Sequence, residues 1–329
     1  MRPLFLLSLP RSGSTLVQRV LGSHAEVATA AEPWVLLPVL YATRGRGARA
    51  EYWHESAAEA IGDFIARLDG GREGWQAEVR AFATALYGRA GGADHAYFLD
   101  KTPRYHTVAA ELMELFPDAR FVFLWRHPLA VVASLLETFR AGRFEPYHFE
   151  VDLYGGLDHL LAAHAGAGGR ARAGAHVHAV RYEDLVAGSP APWRDLHAFL
   201  GLDFDPGALE RLGAGRPPGR YGDPTGVESY RAIDAEPVAK WTRTLGGPVR
   251  AAWCRRYLRW IGAERMAAMG YDLDATLADL ARAPSSAARA PADARHLLAS
   301  RRAARRRAAA LALPEGPEPL GRAFRPRGR

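Results

Sequence analysis

The fold of this chain is decided by Leu4-Phe5-Leu6-Leu7-Ser8-Leu9-Pro10-Arg11-Ser12-Gly13-Ser14-Thr15-Leu16. A short apolar run breaks near a proline, a turn of small residues follows, and then a helical pattern begins. The stretch predicts a strand, a tight loop and a helix N-terminus, whose backbone N–H groups and dipole favour a bound anion. The usual nucleotide-binding loop reads G-x-x-x-x-G-K-[ST]. Here Ser8 replaces the first glycine, Ser14 replaces the lysine, and Arg11 supplies the cation, so the loop predicts a phosphate cradle unlike that of a kinase or GTPase.

The composition limits the class of protein. The 329 residues, 48% of them hydrophobic, suffice for one large α/β domain or two small ones. The single cysteine, Cys254, excludes an intramolecular disulfide and fits a reducing compartment, so we expect a cytoplasmic protein. No apolar run approaches the roughly 20 residues that span a bilayer. The run after Arg2 is too short for a signal peptide and its cleavage site, so it is interpreted as the first strand.

The net charge of +7 is concentrated near the end of the sequence. Residues 283–329 contain eleven arginines against Asp293, Glu315 and Glu318, which leaves the rest of the chain about neutral. We therefore divide the sequence into a domain at 1–282 and a basic tail at 283–329, rich in Arg, Ala and Pro and disordered or loosely helical. A solvated tail is the favoured interpretation, and contact with nucleic acid or another anionic surface is the alternative.

Strands alternate with helices along the domain. Further strands are predicted at 97–99, 120–125 and 176–180, and a long loop rich in Gly and Pro at 213–236. The main predicted helices lie at 14–22, 33–41, 56–90 with a break near 69–71, 128–139, 151–165, 193–200 and, as a pair, between 248 and 269. This order predicts a P-loop-like, three-layer α/β fold with a central parallel sheet flanked by helices.

A second anion site is predicted on the same sheet. Arg126 follows the buried strand at 120–125, Ser134 lies eight residues further on, and Lys101 follows the strand at 97–99. Ligands of open α/β sheets bind outside the carboxyl ends of the strands, where these residues and the loop all fall. Two phosphate sites on one sheet indicate a ligand with two separated phosphates.

These motifs resemble those of the sulfotransferases that use 3′-phosphoadenosine 5′-phosphosulfate (PAPS). The loop Pro10–Leu16 is similar to the 5′-phosphosulfate loop of that family, and Arg126 with Ser134 resembles its 3′-phosphate site. The segment Val180–Leu185 resembles the one whose tyrosine, here Tyr182, lies near the nucleotide. The likeness covers about residues 3–274, and four motifs follow one another at matching spacing.

The tyrosylprotein-sulfotransferase-like branch is the most similar one. In it a glutamate follows the loop arginine by 21 residues, as Glu32 follows Arg11, and a hydroxyl residue precedes a Lys-Trp pair by fifteen, as Thr225 precedes Lys240. A Gly-Tyr-Asp sequence also recurs, at 270–272. That branch has an arginine four residues after the serine of the 3′-phosphate site, where this chain has Thr138. Members of that branch are membrane-anchored and carry disulfides, whereas this sequence shows neither an anchor nor paired cysteines. It therefore looks more like a soluble bacterial member.

The resemblance implies sulfuryl transfer to a hydroxyl acceptor, with 3′-phosphoadenosine 5′-phosphate (PAP) as the other product and no metal. Cytosolic small-molecule sulfotransferases carry a histidine after the Lys-Thr pair, and Pro103 stands there in this chain, so Glu32 becomes the candidate general base. In isolation, Glu32 would be interpreted as a first-turn acid favoured by the dipole of the helix at 33–41. Arg11 and Lys101 are expected to stabilise the transition state. The expected nucleotide-binding residues are Arg11, Ser12, Gly13, Ser14, Thr15, Arg126, Ser134, Tyr182, Thr225 and Lys240.

Other functions remain open at this point. A P-loop nucleotide kinase is the rival enzyme, although Ser14 in place of the loop lysine speaks against it. A binder of nucleic acid or of an anionic surface through the arginine-rich tail is the non-enzymatic alternative, nucleic acid being the less expected partner. The acceptor could be a small molecule, natural product, carbohydrate or peptide tyrosine. A homodimer is a further expectation.

Overall fold

The computed structural model describes residues 1–45, 47–48, 50–92, 94–170, 176–210 and 236–312. Five parallel strands form one sheet in the order β2-β3-β1-β4-β5. They are β1 Arg2–Leu7, β2 Val27–Thr29, β3 Tyr97–Asp100, β4 Arg120–Trp125 and β5 Val177–Arg181. The predicted parallel sheet between helices is confirmed. The sequence did not predict β2, because three residues are too few to show a periodic pattern.

Fifteen α-helices lie in the part of the chain that the structure describes. In chain order they are α1 Ser14–Gly22, α2 Leu36–Tyr41, α3 His54–Ile65, α4 Gly71–Gly91, α5 Ala109–Leu115, α6 Pro128–Arg140, α7 Leu157–Arg170, α8 Tyr182–Val186, α9 Ala191–Leu200, α10 Gly207–Glu210, α11 Glu236–Thr244, α12 Pro248–Ile261, α13 Ala263–Ala268, α14 Leu273–Arg282 and α15 Ala290–Ala312. Short 3₁₀ turns at Tyr105–Thr107, Pro146–Phe149 and Ala287–Arg289 and a π-helical turn at Val151–Gly156 complete them. None of these helices is long and apolar enough to cross a membrane.

The core lies on both faces of the sheet, because successive side chains of a strand point to opposite sides. Leu4 and Leu6 of β1 belong to a cluster with α1, α8 and α9. Phe5 and Leu7 belong to a larger cluster that includes α4, α5, α6, α7 and α12. The ring of Phe5 stacks on that of Phe121 in β4, with centroids 5.3 Å apart. This burial on both faces explains why β1 and β4 read as continuous apolar runs.

Two predicted helices start differently from the expectation. The helix predicted from residue 33 begins only at Leu36, because Trp34 takes a left-handed φ of 58° and hydrogen-bonds to Thr102 instead of entering the helix. The helix predicted at 151–165 opens with the π-helical turn before α7. The loop predicted at 213–236 lies outside the described residues except for Glu236, where α11 begins.

Part of the predicted basic tail is an ordered helix. Helix α15 packs against the turn at Pro146–Phe149 and against α12. Arg250 of α12 donates two hydrogen bonds of 2.8 Å to the Asp293 carboxylate of α15, and both side chains are more than 90% buried. Ala304 is buried two turns before the end of α15. For residues 290–312, the expectation of a disordered or loose tail therefore gives way to a docked helix, while the domain boundary at 282 stays a prediction.

Candidate active site

Three basic side chains gather at the carboxyl edge of the sheet. Lys101 follows β3, Arg11 lies in the loop after β1, and Arg126 follows β4. Because β1 pairs with both β3 and β4, these residues come from adjacent strands in the middle of the sheet. Helix α1 points its N-terminus towards the same edge, and the first N–H groups of a helix lack partners within it. The edge therefore combines fixed cations with free backbone donors, as an anion site requires.

The loop conformation depends on two residues with positive φ. Arg11 has a φ of 67°, and Gly13, which precedes α1, has a φ of 90°. A Cβ atom on Gly13 would lie 2.2 Å from the Tyr182 ring, so only glycine permits this close packing. Ser12 is buried, and Ser14 and Thr15 are the first two residues of α1.

The two predicted phosphate sites contact each other directly. The Arg126 guanidinium donates a 2.6 Å hydrogen bond to the backbone carbonyl of Arg11. The Arg11 Nε donates to Ser134 Oγ at 3.2 Å, across to α6. The Arg126 guanidinium also lies 4.7 Å from the centre of the Tyr182 ring, a cation–π contact. The structure thus brings Arg11, Gly13, Arg126, Ser134 and Tyr182 into one cluster.

Glu32 is held close to this edge by the first helix. The Gln18 side chain of α1 donates to the backbone carbonyls of Ala30 and Ala31, at 2.6 and 3.2 Å, and to the Thr29 hydroxyl at 2.9 Å. This side chain fixes the segment that leads from β2 to Glu32. The Thr29 hydroxyl in turn donates to the Leu99 carbonyl of β3, so the segment is tied to the sheet as well.

The candidate base and the candidate cation form an ion pair. Lys101 Nζ lies 2.7 Å from Glu32 Oε1, and the two side chains are only 3% and 10% exposed. The indole N–H of Trp34 donates to the other carboxylate oxygen at 3.3 Å. Glu32 therefore has a donor on each oxygen. It lies ahead of α2 rather than in its first turn, which removes the helix-dipole interpretation of this residue.

Asp100, the last residue of β3, is a buried acid that sequence reasoning missed. It is fully buried and accepts hydrogen bonds from the hydroxyls of Tyr87, Tyr105 and Thr102 at 2.6, 2.7 and 2.9 Å. Burial raises the pKa of Asp100, against these bonds and the charge of Lys101, which lower it. An acid that ends an apolar strand one residue before a candidate catalytic lysine was the signal in the sequence.

The turn between β4 and α6 is held by hydrogen bonds to Glu183 and by packing of the His127 ring. The backbone N–H of His127 donates to Glu183 Oε1 at 3.0 Å, and the Tyr271 hydroxyl donates to the other oxygen at 2.5 Å. The His127 ring stacks on Trp241 with centroids 5.0 Å apart. Burial lowers the pKa of His127 to about 4, so its ring is neutral at pH 7. Glu183 is therefore a capping acid and His127 a structural residue.

Lys240 and Thr225 are the remaining predicted residues. Lys240 of α11 pairs with Glu137 at 2.8 Å, one turn of α6 beyond Ser134. Arg140, two residues after Thr138, pairs with Glu145. Thr225 lies outside the described residues. Within the described ranges, no group of three or more His, Cys, Asp or Glu side chains could hold a metal ion.

The comparisons with known proteins give a family, a curated relative and a solved structure of similar fold. A model of the sulfotransferase family matches residues 3–206, so the chain belongs to that family. The nodulation protein NoeE of Sinorhizobium fredii is 30% identical over 268 residues, which cover 73% of this chain and 60% of that protein. This chain thus spans less than two thirds of that relative. The sulfotransferase domain from the curacin biosynthetic pathway has a TM-score of 0.51 and 21% identity, covering 78% of this chain and 96% of that domain.

Proposed function

We propose that the protein transfers the sulfuryl group of PAPS to the hydroxyl of an acceptor, with Glu32 as general base. Membership of the sulfotransferase family supports sulfuryl transfer over the rival kinase chemistry. The single observation that carries the assignment of Glu32 as the base is its contact with Lys101 at the carboxyl edge of the sheet, beside the loop after β1. A carboxylate and a lysine buried together there can act on the two substrates of one transfer, the carboxylate on the acceptor hydroxyl and the lysine on the donor.

The donor fits the basic groups of this edge. The N-terminus of α1 with Arg11 suits the 5′-phosphosulfate, and Arg126 with Ser134 suits the 3′-phosphate. A guanidinium only donates hydrogen bonds, and a hydroxyl can rotate to donate one. Both groups can therefore bind phosphate oxygens, which only accept. Tyr182, which packs on Gly13 and under Arg126, would line the nucleotide between the two phosphates.

In the proposed reaction, Glu32 removes the proton of the acceptor hydroxyl as its oxygen attacks sulfur. The bond between sulfur and the bridging phosphate oxygen breaks, the sulfuryl group passes to the acceptor, and PAP leaves. Lys101 and Arg11 stabilise the negative charge on the transferred and leaving oxygens. Lys101 must first move its hydrogen bond from Glu32 to the donor, which leaves the carboxylate free to act as a base.

The test is transfer of labelled sulfate from PAPS to a panel of phenols, sugars, alcohols and tyrosine peptides. Glu32→Gln should bind PAP as the wild type does and lose turnover by about a hundredfold or more, as expected for a general base. Glu26→Gln is the matched control, since Glu26 is an exposed acid of the preceding turn. Full turnover in Glu32→Gln would remove Glu32 as the base. The cytoplasmic location, the homodimer and tail-mediated anion binding stay predictions.

A further inference from the structure

A chain of hydrogen bonds leads from the buried acid Asp100 to the candidate base. Its first step is the Thr102 hydroxyl, which has one proton and donates it to Asp100 at 2.9 Å. The lone pairs of that hydroxyl are thereby directed away from Asp100. They accept the backbone N–H of Trp34 at 3.2 Å. The buried carboxylate thus decides which way the Thr102 hydroxyl points.

Trp34 is the second step of the chain. Its φ of 58° lies in the left-handed region, which a bulky side chain rarely adopts. Such a conformation persists only where the surroundings hold it, and the bond from its backbone N–H to Thr102 is one contact that does so. In this conformation the indole N–H reaches Glu32 Oε2 at 3.3 Å. The backbone and the side chain of Trp34 therefore connect Thr102 to Glu32.

We propose that Asp100 is a positioning residue for the general base, acting on Glu32 through Thr102 and Trp34. The inference rests on the proposed function, because it needs Glu32 to be the base. Asp100 itself is fully buried and bonded on both carboxylate oxygens, so it touches neither substrate. Tyr87 and Tyr105 hold it in place from α4 and from the 3₁₀ turn after Lys101.

The hydrogen bonds that lead from Asp100 to Glu32 matter most during the transfer step. In the structure, Lys101 and Trp34 each hydrogen-bond to one oxygen of Glu32. When Lys101 turns to the donor phosphates, the Trp34 bond keeps the carboxylate aimed at the acceptor. Two neighbouring residues at the end of β3 therefore have separate roles. Lys101 binds the donor, and Asp100 orients the base that deprotonates the acceptor. Misplacing a base lowers kcat without weakening donor binding.

The experiment compares three threonine variants by kcat, by the affinity for PAP and by crystal structure. Thr102→Val removes the hydroxyl and keeps the shape, and Thr102→Ser restores the hydroxyl. Thr107→Val is the matched control. The Thr107 hydroxyl accepts from Tyr41 at 3.2 Å and donates to the Arg104 carbonyl at 2.8 Å, but no bond leads from it to Glu32.

Thr102→Val should lower kcat by about tenfold or more with the Kd for PAP within about twofold, and Thr102→Ser should recover most of the loss. Asp100→Asn should lower kcat in the same way, and the acid limb of the kcat–pH profile should shift in both variants. In crystals of Thr102→Val, Trp34 should leave the left-handed conformation and its indole should separate from Glu32.

Three results would overturn the proposal. The first is a Thr102→Val enzyme with kcat within about twofold of the wild type. The second is an equal loss in Thr107→Val, which would indicate a merely structural role. The third is an unchanged Trp34–Glu32 contact in crystals of Thr102→Val, a result that can be obtained without any activity. A wild type that transfers no sulfate from PAPS, or a fully active Glu32→Gln, would instead refute the proposed function itself.

Discussion

The docking of α15 on the domain should depend on one buried ion pair. Arg250 and Asp293 are 4% and 7% exposed, and the guanidinium donates two bonds of 2.8 Å to the carboxylate. The same guanidinium also donates to the carbonyls of Thr244 and Gly142, at 2.8 and 3.0 Å. Asp293→Asn keeps the volume of the side chain and turns one acceptor into a donor that faces the cation.

The magnitude follows from what the variant leaves behind. Breaking a buried pair by removing one partner costs about 3–5 kcal/mol, because the other charge stays buried. Two backbone carbonyls still accept from Arg250, which places the expected loss at the lower end, about 3 kcal/mol. At about 2 °C per kcal/mol for a chain of this size, Tm should fall by roughly 6 °C. Cutting the chain at residue 282 removes Asp293 and the whole of α15, so the loss should be larger.

Differential scanning calorimetry and urea unfolding measure this loss. The control is Asp279→Asn, which breaks the Arg282–Asp279 pair of 2.7 Å, whose side chains are 75% and 53% exposed. An exposed pair contributes about 0–1 kcal/mol, so this variant should stay close to the wild type. Equal stability of Asp293→Asn and Asp279→Asn would refute the reasoning. So would a chain ending at 282 with the Tm of the whole protein.

Three further predictions concern single residues. Burial lowers the pKa of His127 from 6.5 to about 4, so between these two pH values the unfolded chain binds a proton that the folded chain does not. The free energy of unfolding should therefore fall from pH 6.5 towards pH 4 by up to about 3 kcal/mol, and it should fall less in His127→Gln. Gly13→Ala should abolish PAP binding, since its Cβ would lie 2.2 Å from Tyr182, whereas Gly201→Ala, with a φ of 70° and open space around it, should bind normally at a cost of about 1 kcal/mol; equal effects would contradict the packing argument. Cys254, whose thiol pKa burial raises to about 12, should react with a thiol reagent only after unfolding, and rapid labelling of the native protein would contradict its burial.

Much of the architecture was predictable because the central strands β1, β3 and β4 are buried on both faces. Such strands read as apolar runs, and the residues that follow them must gather at one edge of a parallel sheet. The sequence therefore predicts that Arg11, Lys101 and Arg126 lie at one edge of the sheet. The sequence also predicted a tight turn through Gly13, whereas the Tyr182 ring packed against that glycine is seen only in the structure.

The contacts around Glu32 could not be read from the sequence. Tyr87, Tyr105 and Asp100 come from a helix, a 3₁₀ turn and a strand end, and no periodic pattern links them. The left-handed Trp34 depends on a hydroxyl 68 residues away in sequence. The docking of α15 was hidden for a related reason: its arginines and alanines read as a solvated tail, and composition does not show the buried pair of Asp293 with Arg250.

Calorimetry with PAP, AMP and ATP tests the central claim most directly. AMP lacks only the 3′-phosphate, so the account predicts that PAP binds about tenfold or more tightly than either AMP or ATP, without a metal ion. Arg126→Ala should remove most of the difference between PAP and AMP. Equal affinities for PAP and AMP, or tighter binding of ATP with magnesium, would contradict the assignment of PAPS as the donor.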